Sequence, residues 1–251
     1  MSIANEIQRL QNAKADIKSA IENKGVTVGD GTIDTYAEKI SEISGGGGVD
    51  YSPFLTQARF YSMNDFGKSE LELNLQRLTE LGSLFYEGES GSVEARVNKT
   101  VEHLTINSGE ITSMYCSFST SNYKDTTLKR LTLNIDTSKC TGFYQSFRGR
   151  NALEIIDGTP LDFTSVTSAN NTFLSCDNLA EIRFVPNTIK VGFSFASSAN
   201  LSAESIQSII NGLADLTGGT AKELTLHATV GNKLTDTQKA TITAKNWTLV
   251  Y

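Results

Sequence analysis

The sequence predicts a mainly β fold with some α: an amino-terminal coiled-coil-like helix, a short second helix, then a solenoid closed by an α/β cap. Three observations carry this. A phenylalanine ladder at Phe118, Phe147, Phe173 and Phe195 has steps of 29, 26 and 22 residues. A period in the twenties marks stacked units, each of which buries its apolar face only against its neighbours. Leu71/Leu73/Leu75, Leu104/Ile106 and Leu131/Leu133 alternate with polar residues, as half-buried strands do. Ile3, Ile7, Leu10, Ile17 and Ile21 form a heptad seam with Lys14 at the skipped position.

That seam sets the first element, a helix over residues 2–23. A seam so narrow points to self-association, an amphipathic helix packed on the chain's own body being the other reading. VTVGDGT at 26–32 is a turn, and Thr32 caps a second helix with Ile33, Tyr36, Ala37, Ile40 and Ile43 on one face. Gly45–Gly48 is a flexible hinge that separates this helical module, 1–44, from the body. Residues 49–100 read as the β-rich start of the body, with a hairpin formed by 84–86 and 93–97 around EGESGS.

Residues 101–201 hold the degenerate repeats. Each ladder phenylalanine follows by four residues Met114, Phe143, Ala169 or Val191, and the last three precede by six residues Leu153, Leu179 and Leu201. The Phe118 copy fits with a four-residue insertion before Leu128 and Leu131. Ile182/Phe184 alternate as a further strand, and HLTIN, RLTLN and ELTLH recur as short strands at 103, 130 and 223. Residues 202–251 form the cap. Ser202 begins a helix carrying Ile206, Ile209, Ile210 and Leu213, stopped by Gly218 and Gly219, and Thr235 with Gln238 has capping-box spacing before another helix.

Composition narrows the function. Of 251 residues, 39% are hydrophobic, only 3 are proline, and the net charge is -6. Lysine and arginine form no stripe, which argues against nucleic-acid binding. No apolar stretch is long enough to span a bilayer. MSIANEIQRLQ lacks the charged and apolar regions of a secretory signal. Cys116, Cys140 and Cys176 make no CxxC, and with only His103 and His227 available a zinc site is not expected. Cys140 and Cys176 read as small core fillers. No nucleophile motif, phosphate loop or cofactor-binding motif is present. Glu70, Glu72 and Glu94 read as solvated faces, and nothing selects a glycosidase pair among them. Binding or assembly is therefore expected in preference to catalysis. Tyr123, Tyr144, Arg148 and Arg150 fall between ladder positions and are expected to face outward. They are either an ordinary solvated surface or a candidate receptor surface for a saccharide or protein.

FLSCDNLAEI at 173–182 resembles the BspA-type leucine-rich repeat, with Phe, then Cys three, Leu six and Ile nine residues later. Ser121, Arg150 and Ser198 replace the cysteine in the other copies. KLTDTQKATITAKNWTL at 233–249 is similar to the tail of many such proteins encoded by bacteriophages. IKSAIENKGVTVGDGTIDTYAEKISEI at 17–43 is similar to the amino-terminal module of phage tail, baseplate and fibre proteins. The resemblance implies a leucine-rich-repeat solenoid in a virion tail protein, assembled in the host cytoplasm. Its amino terminus would dock on other tail proteins and form a homotrimer, as tail fibres do. Its body would meet a glycan or protein of the host surface. A bacterial surface adhesin or a purely structural baseplate component are the alternatives.

Overall fold

The computed structural model describes residues 3–22, 27–28, 69–82, 84–85, 100–120 and 127–251, with the side chains of the first helix described from residue 7 onward. The chain divides into two compact units, Met1–Tyr51 and Ser52–Tyr251. Among the described residues the fold is an α/β mixture, with four helices and seven strands in two parallel sheets.

In the first unit, α1 (Ile3–Glu22) is a single 20-residue helix. Two side-chain pairs four residues apart support it: the Gln8 amide donates to Asn12 Oδ1 at 3.1 Å and Lys18 lies 3.9 Å from Glu22. Such pairs contribute only a few tenths of a kcal/mol each. The predicted second helix at 32–43 and the glycine hinge at 45–48 lie outside the described residues.

In the second unit, β1 (Glu70–Asn74), β2 (His103–Glu110), β3 (Arg130–Asp136) and β4 (Ile155–Gly158) pair in chain order, every pair parallel. The parallel register sets like on like. Leu71, Leu104, Leu131 and Ile156 share one level, and Leu73, Ile106 and Leu133 share another. Asn107 donates to Asn74 Oδ1 at 3.0 Å, and Asn134 donates to Asn107 Oδ1 at 2.7 Å. β4 stops at Gly158, whose φ of +92° suits glycine and whose absent Cβ would lie 2.5 Å from the Leu133 carbonyl.

The phenylalanine ladder is buried and continuous. Ring centroids are 5.7 Å apart from Phe118 to Phe147, 5.3 Å from Phe147 to Phe173 and 4.7 Å from Phe173 to Phe195, all near-parallel. These distances approximate the ~4.8 Å spacing of adjacent strands, so one side chain per rung stacks on its counterpart. Phe85 adds a rung that the sequence reading missed, 5.0 Å from Phe118. Leu84 and Phe85 lie in a turn, which corrects the predicted hairpin strand there; residues 93–97 are outside the described set. The Phe85 N–H is held by the Ser117 carbonyl at 3.1 Å, the rung-to-rung bond that fixes it. Phe143, Phe163, Phe184 and Phe193 pack around the ladder, mostly edge to face.

Two further expectations are corrected. Residues 181–184 form single bridges, Glu181 to Ile155 and Phe184 to Leu161, and no strand. On their other side stands α2 (Ala203–Gly212), whose Ser205 and Ser208 hydroxyls accept from the Ile182 and Phe184 N–H groups at 3.0 and 2.9 Å. Helix hydroxyls thus occupy the place of a next strand. α2 begins at Ser202 as predicted but ends at Gly212, ahead of Gly218. Leu213 turns extended to bridge Ile189, and Lys245 Nζ takes the terminal carbonyls of Ile210, Asn211 and Leu213.

The chain closes with β5 (Phe193–Phe195), β6 (Lys222–Leu226) and β7 (Trp247–Val250), paired in that order. Between β6 and β7 run α3 (Ala228–Gly231) and α4 (Asp236–Ala244). α4 starts with both bonds of the Thr235–Gln238 capping box. Trp247 is buried and its indole N–H donates to the Ala214 carbonyl at 2.9 Å.

Candidate functional site

The corners of the ladder decide what faces outward. Four residues before Phe118, Phe147 and Phe173 sits a buried residue, Met114, Phe143 or Ala169, and the next residue is Tyr115, Tyr144 or Asn170. The residue after that has positive φ in every case, at Cys116, Gln145 and Asn171. This left-handed bend turns the chain and throws the preceding side chain outward. Backbone bonds then tie the corners together: Cys116 N–H to the Tyr144 carbonyl and Gln145 N–H to the Asn170 carbonyl, both 3.0 Å.

Tyr115 and Tyr144 therefore stack on the surface, with centroids 5.2 Å apart and planes 17° from parallel. Tyr115 is 53% exposed. Gln145 donates to the Tyr144 hydroxyl at 3.0 Å and accepts from Arg148 Nη1 at 3.5 Å, which steadies the strip. Beyond Tyr144 the strip continues as Asn170 and opens into a groove of about 580 Å³, lined among others by Tyr144, Asn170, Asn171, Lys222, Glu223 and Thr225.

The sites expected from sequence distribute unevenly. Tyr144 and Arg148 are half-buried and meet through Gln145. Tyr123 lies outside the described residues. Arg150 does not belong to the surface: it is 1% exposed. Its Nε donates to the Phe118 carbonyl and its Nη2 to the Phe85 carbonyl at 3.0 Å. The same position in the next rung is Cys176, which donates to the Phe147 carbonyl at 3.0 Å; in the one after, the Ser198 hydroxyl donates to the Cys176 carbonyl at 3.1 Å. Arginine, cysteine and serine thus serve one purpose, satisfying buried carbonyls of earlier rungs. Tyr115 and Asn170 were missed. Their signal was present, since each follows the residue four before a ladder phenylalanine, as Tyr144 does.

On α1, Ile7, Leu10 and Ile17 are 52%, 54% and 39% exposed, while Ile21 is buried. The side chain of Ile3 is outside the described set. All three cysteines are free. Burial pushes the Cys140 thiol up to about 11 and the Cys176 thiol to about 12, so both stay protonated at neutral pH.

A second polar surface is the outer face of the four-stranded sheet, a groove of about 370 Å³. Its polar side chains are already bonded to one another. Glu70 lies 3.3 Å from His103, Glu72 accepts from Asn107, and Asp157 accepts from Thr132 at 2.6 Å and from Arg130. Burial tends to raise the Asp157 carboxyl, but the bonds from Thr132 and Arg130 and the charges of Arg130 and Arg183 outweigh it and hold it below the usual range. Among the described residues no three metal-ligating side chains cluster, and no helix is long and apolar enough to cross a membrane.

Known proteins offer no match to this chain: no family, no curated protein and no solved structure.

Proposed function

We propose that the chain is a phage virion tail protein, a receptor-binding, fibre or baseplate subunit that presents a leucine-rich-repeat solenoid to the host surface. The observation that carries the solenoid is the stacking of strands in chain order around one file of phenylalanine rings, with repeats of 22 to 33 residues. Units of that kind cover one another's apolar faces and leave a long outer surface for recognition. The virion setting rests on the likeness of residues 17–43 and 233–249 to phage tail modules. Binding, not catalysis, is the role, with no cofactor, no nucleic acid and no membrane insertion.

The amino-terminal module carries assembly. Ile7, Leu10 and Ile17 are large apolar side chains exposed on one helix, the arrangement a coiled coil buries. The partners are two further copies of this chain in a homotrimer, together with other tail or baseplate proteins. Light scattering of the full chain should give three times the chain mass, and a chain starting at Val49 should give one. Equal monomeric masses for both would overturn self-association.

The receptor role is tested on the virion. Particles whose copies lack residues 49–251 should assemble but adsorb to host cells poorly. Normal adsorption by such particles would leave a purely structural place in the baseplate as the better reading. A bacterial surface adhesin with the same repeats is the competing class, and recovery of the chain from host envelopes instead of virions would favour it.

A further inference from the structure

We infer that the Tyr115–Tyr144 strip and the groove it opens into bind a neutral oligosaccharide. The inference deepens the receptor-binding reading and rests on it for the source of the glycan.

The strip supplies an aromatic wall. Tyr115 and Tyr144 stack face on face, 5.2 Å apart, so a ligand meets the outer faces and edges of the pair, and Tyr144 lines the groove. A pyranose offers a face of C–H groups whose partial positive charge suits the negative face of an aromatic ring. The strip is also preorganised. The Tyr144 hydroxyl is bound by Gln145, and the backbone bonds between corners set the spacing, so little ordering is left to be done on binding.

The groove supplies polar groups. Small-molecule sites are as a rule lined by apolar side chains, whereas this one adds to Ala169, Val191 and Phe193 a majority of amides, hydroxyls and one pair of opposite charges. Asn170 and Asn171 lie at the end of the strip, are exposed, and spend no side-chain hydrogen bond on the described residues. An amide donates and accepts at once, which matches vicinal hydroxyls of a sugar. Lys222 and Glu223 bring one charge of each sign, so the groove holds no cation cluster of the kind that captures phosphate, sulfate or a polyuronate. The polar sheet face differs here, because its polar side chains already bond one another. One sugar would pack against Tyr144 and the next would reach the asparagines, a chain of at least two residues running across neighbouring rungs.

The test uses the full chain on an array of immobilised neutral oligosaccharides, hexoses and N-acetylhexosamines, beside uronate, sialylated and phosphorylated glycans. Retention on a neutral member is expected. Tyr144→Ala should weaken it by up to about tenfold, the scale of one lost aromatic contact, and Tyr115→Ala, which removes the ring that Tyr144 stacks on, should weaken it less. Tyr144→Phe, which keeps the ring, should retain binding, and Arg183→Ala, near Asp157 and outside the groove, should leave it unchanged. Thermal melts of each variant separate loss of binding from loss of fold. Retention on acidic glycans alone, or equal retention by the alanine and parent chains, overturns the inference. So does silence on every neutral glycan while virions still adsorb through residues 49–251, an outcome that leaves the receptor reading standing. Normal adsorption without those residues removes the receptor reading and, with it, the host surface as the source of the glycan.

Discussion

Phe173→Ala should lower the stability of the second unit by about 3–5 kcal/mol, the usual cost of emptying a buried aromatic site. Phe173 is buried in the middle of the file, stacked between Phe147 at 5.3 Å and Phe195 at 4.7 Å, with Phe193 edge-on at 5.6 Å. Removing the ring leaves a void bounded above and below by rigid rings that the strand spacing keeps apart, so the site cannot close. Folded domains are stable by only about 5–15 kcal/mol, so the loss is a large share of the total. Tyr144→Ala, whose ring is partly in solvent, should cost under about 1.5 kcal/mol. Urea unfolding of the two variants beside the parent measures both. Equal and small effects would show that the file of rings is not the core.

Arg150→Met should be nearly as damaging, by about 2–5 kcal/mol, although it swaps one long side chain for another and removes a buried charge. The physical reason lies in what is left behind. The Phe118 and Phe85 carbonyls both accept from the guanidinium, and a buried carbonyl that loses such a donor costs about 1–3 kcal/mol. Methionine fills part of the space and donates nothing. Because the two carbonyls belong to different rungs, the loss should fall first on the Phe85–Phe118 end of the file. Hydrogen exchange should find the amides of residues 111–120 opening earlier than those of 153–163. Uniform exchange and an unchanged urea midpoint would mean that Arg150 only occupies space.

Arg150 also marks how far the chain could be read before folding. An arginine between two apolar positions reads as surface, since charged side chains are seldom fully buried. Its burial follows from carbonyls that come from residues 32 and 65 positions away in the chain, and no local pattern contains them. The cysteine and serine at the equivalent places, Cys176 and Ser198, could be read as small core residues, and their donor role was equally hidden. Tyr144 was found because a tyrosine outside the apolar register stands out. Its stacking with Tyr115 was not, because it depends on two corners 29 residues apart lying in register.

What the sequence determined by itself is everything that short spacing encodes. Inward residues of β1 to β3 alternate because a strand places every second side chain on one face. The Phe118 to Phe195 file was legible because one large ring recurs once per turn, and the starts of α2 and α4 because Ser202 and the Thr235–Gln238 pair meet their own backbone within a few residues. Tertiary structure alone decided where those elements stop and what they face. Lys245 reaching back to Leu213, Ser205 and Ser208 closing the chain at 182–184, and Phe85 slipping beneath Phe118 are contacts made at long range. Ends and outer faces are set by such contacts, because a backbone group released from one element must find its partner wherever the fold has brought one near.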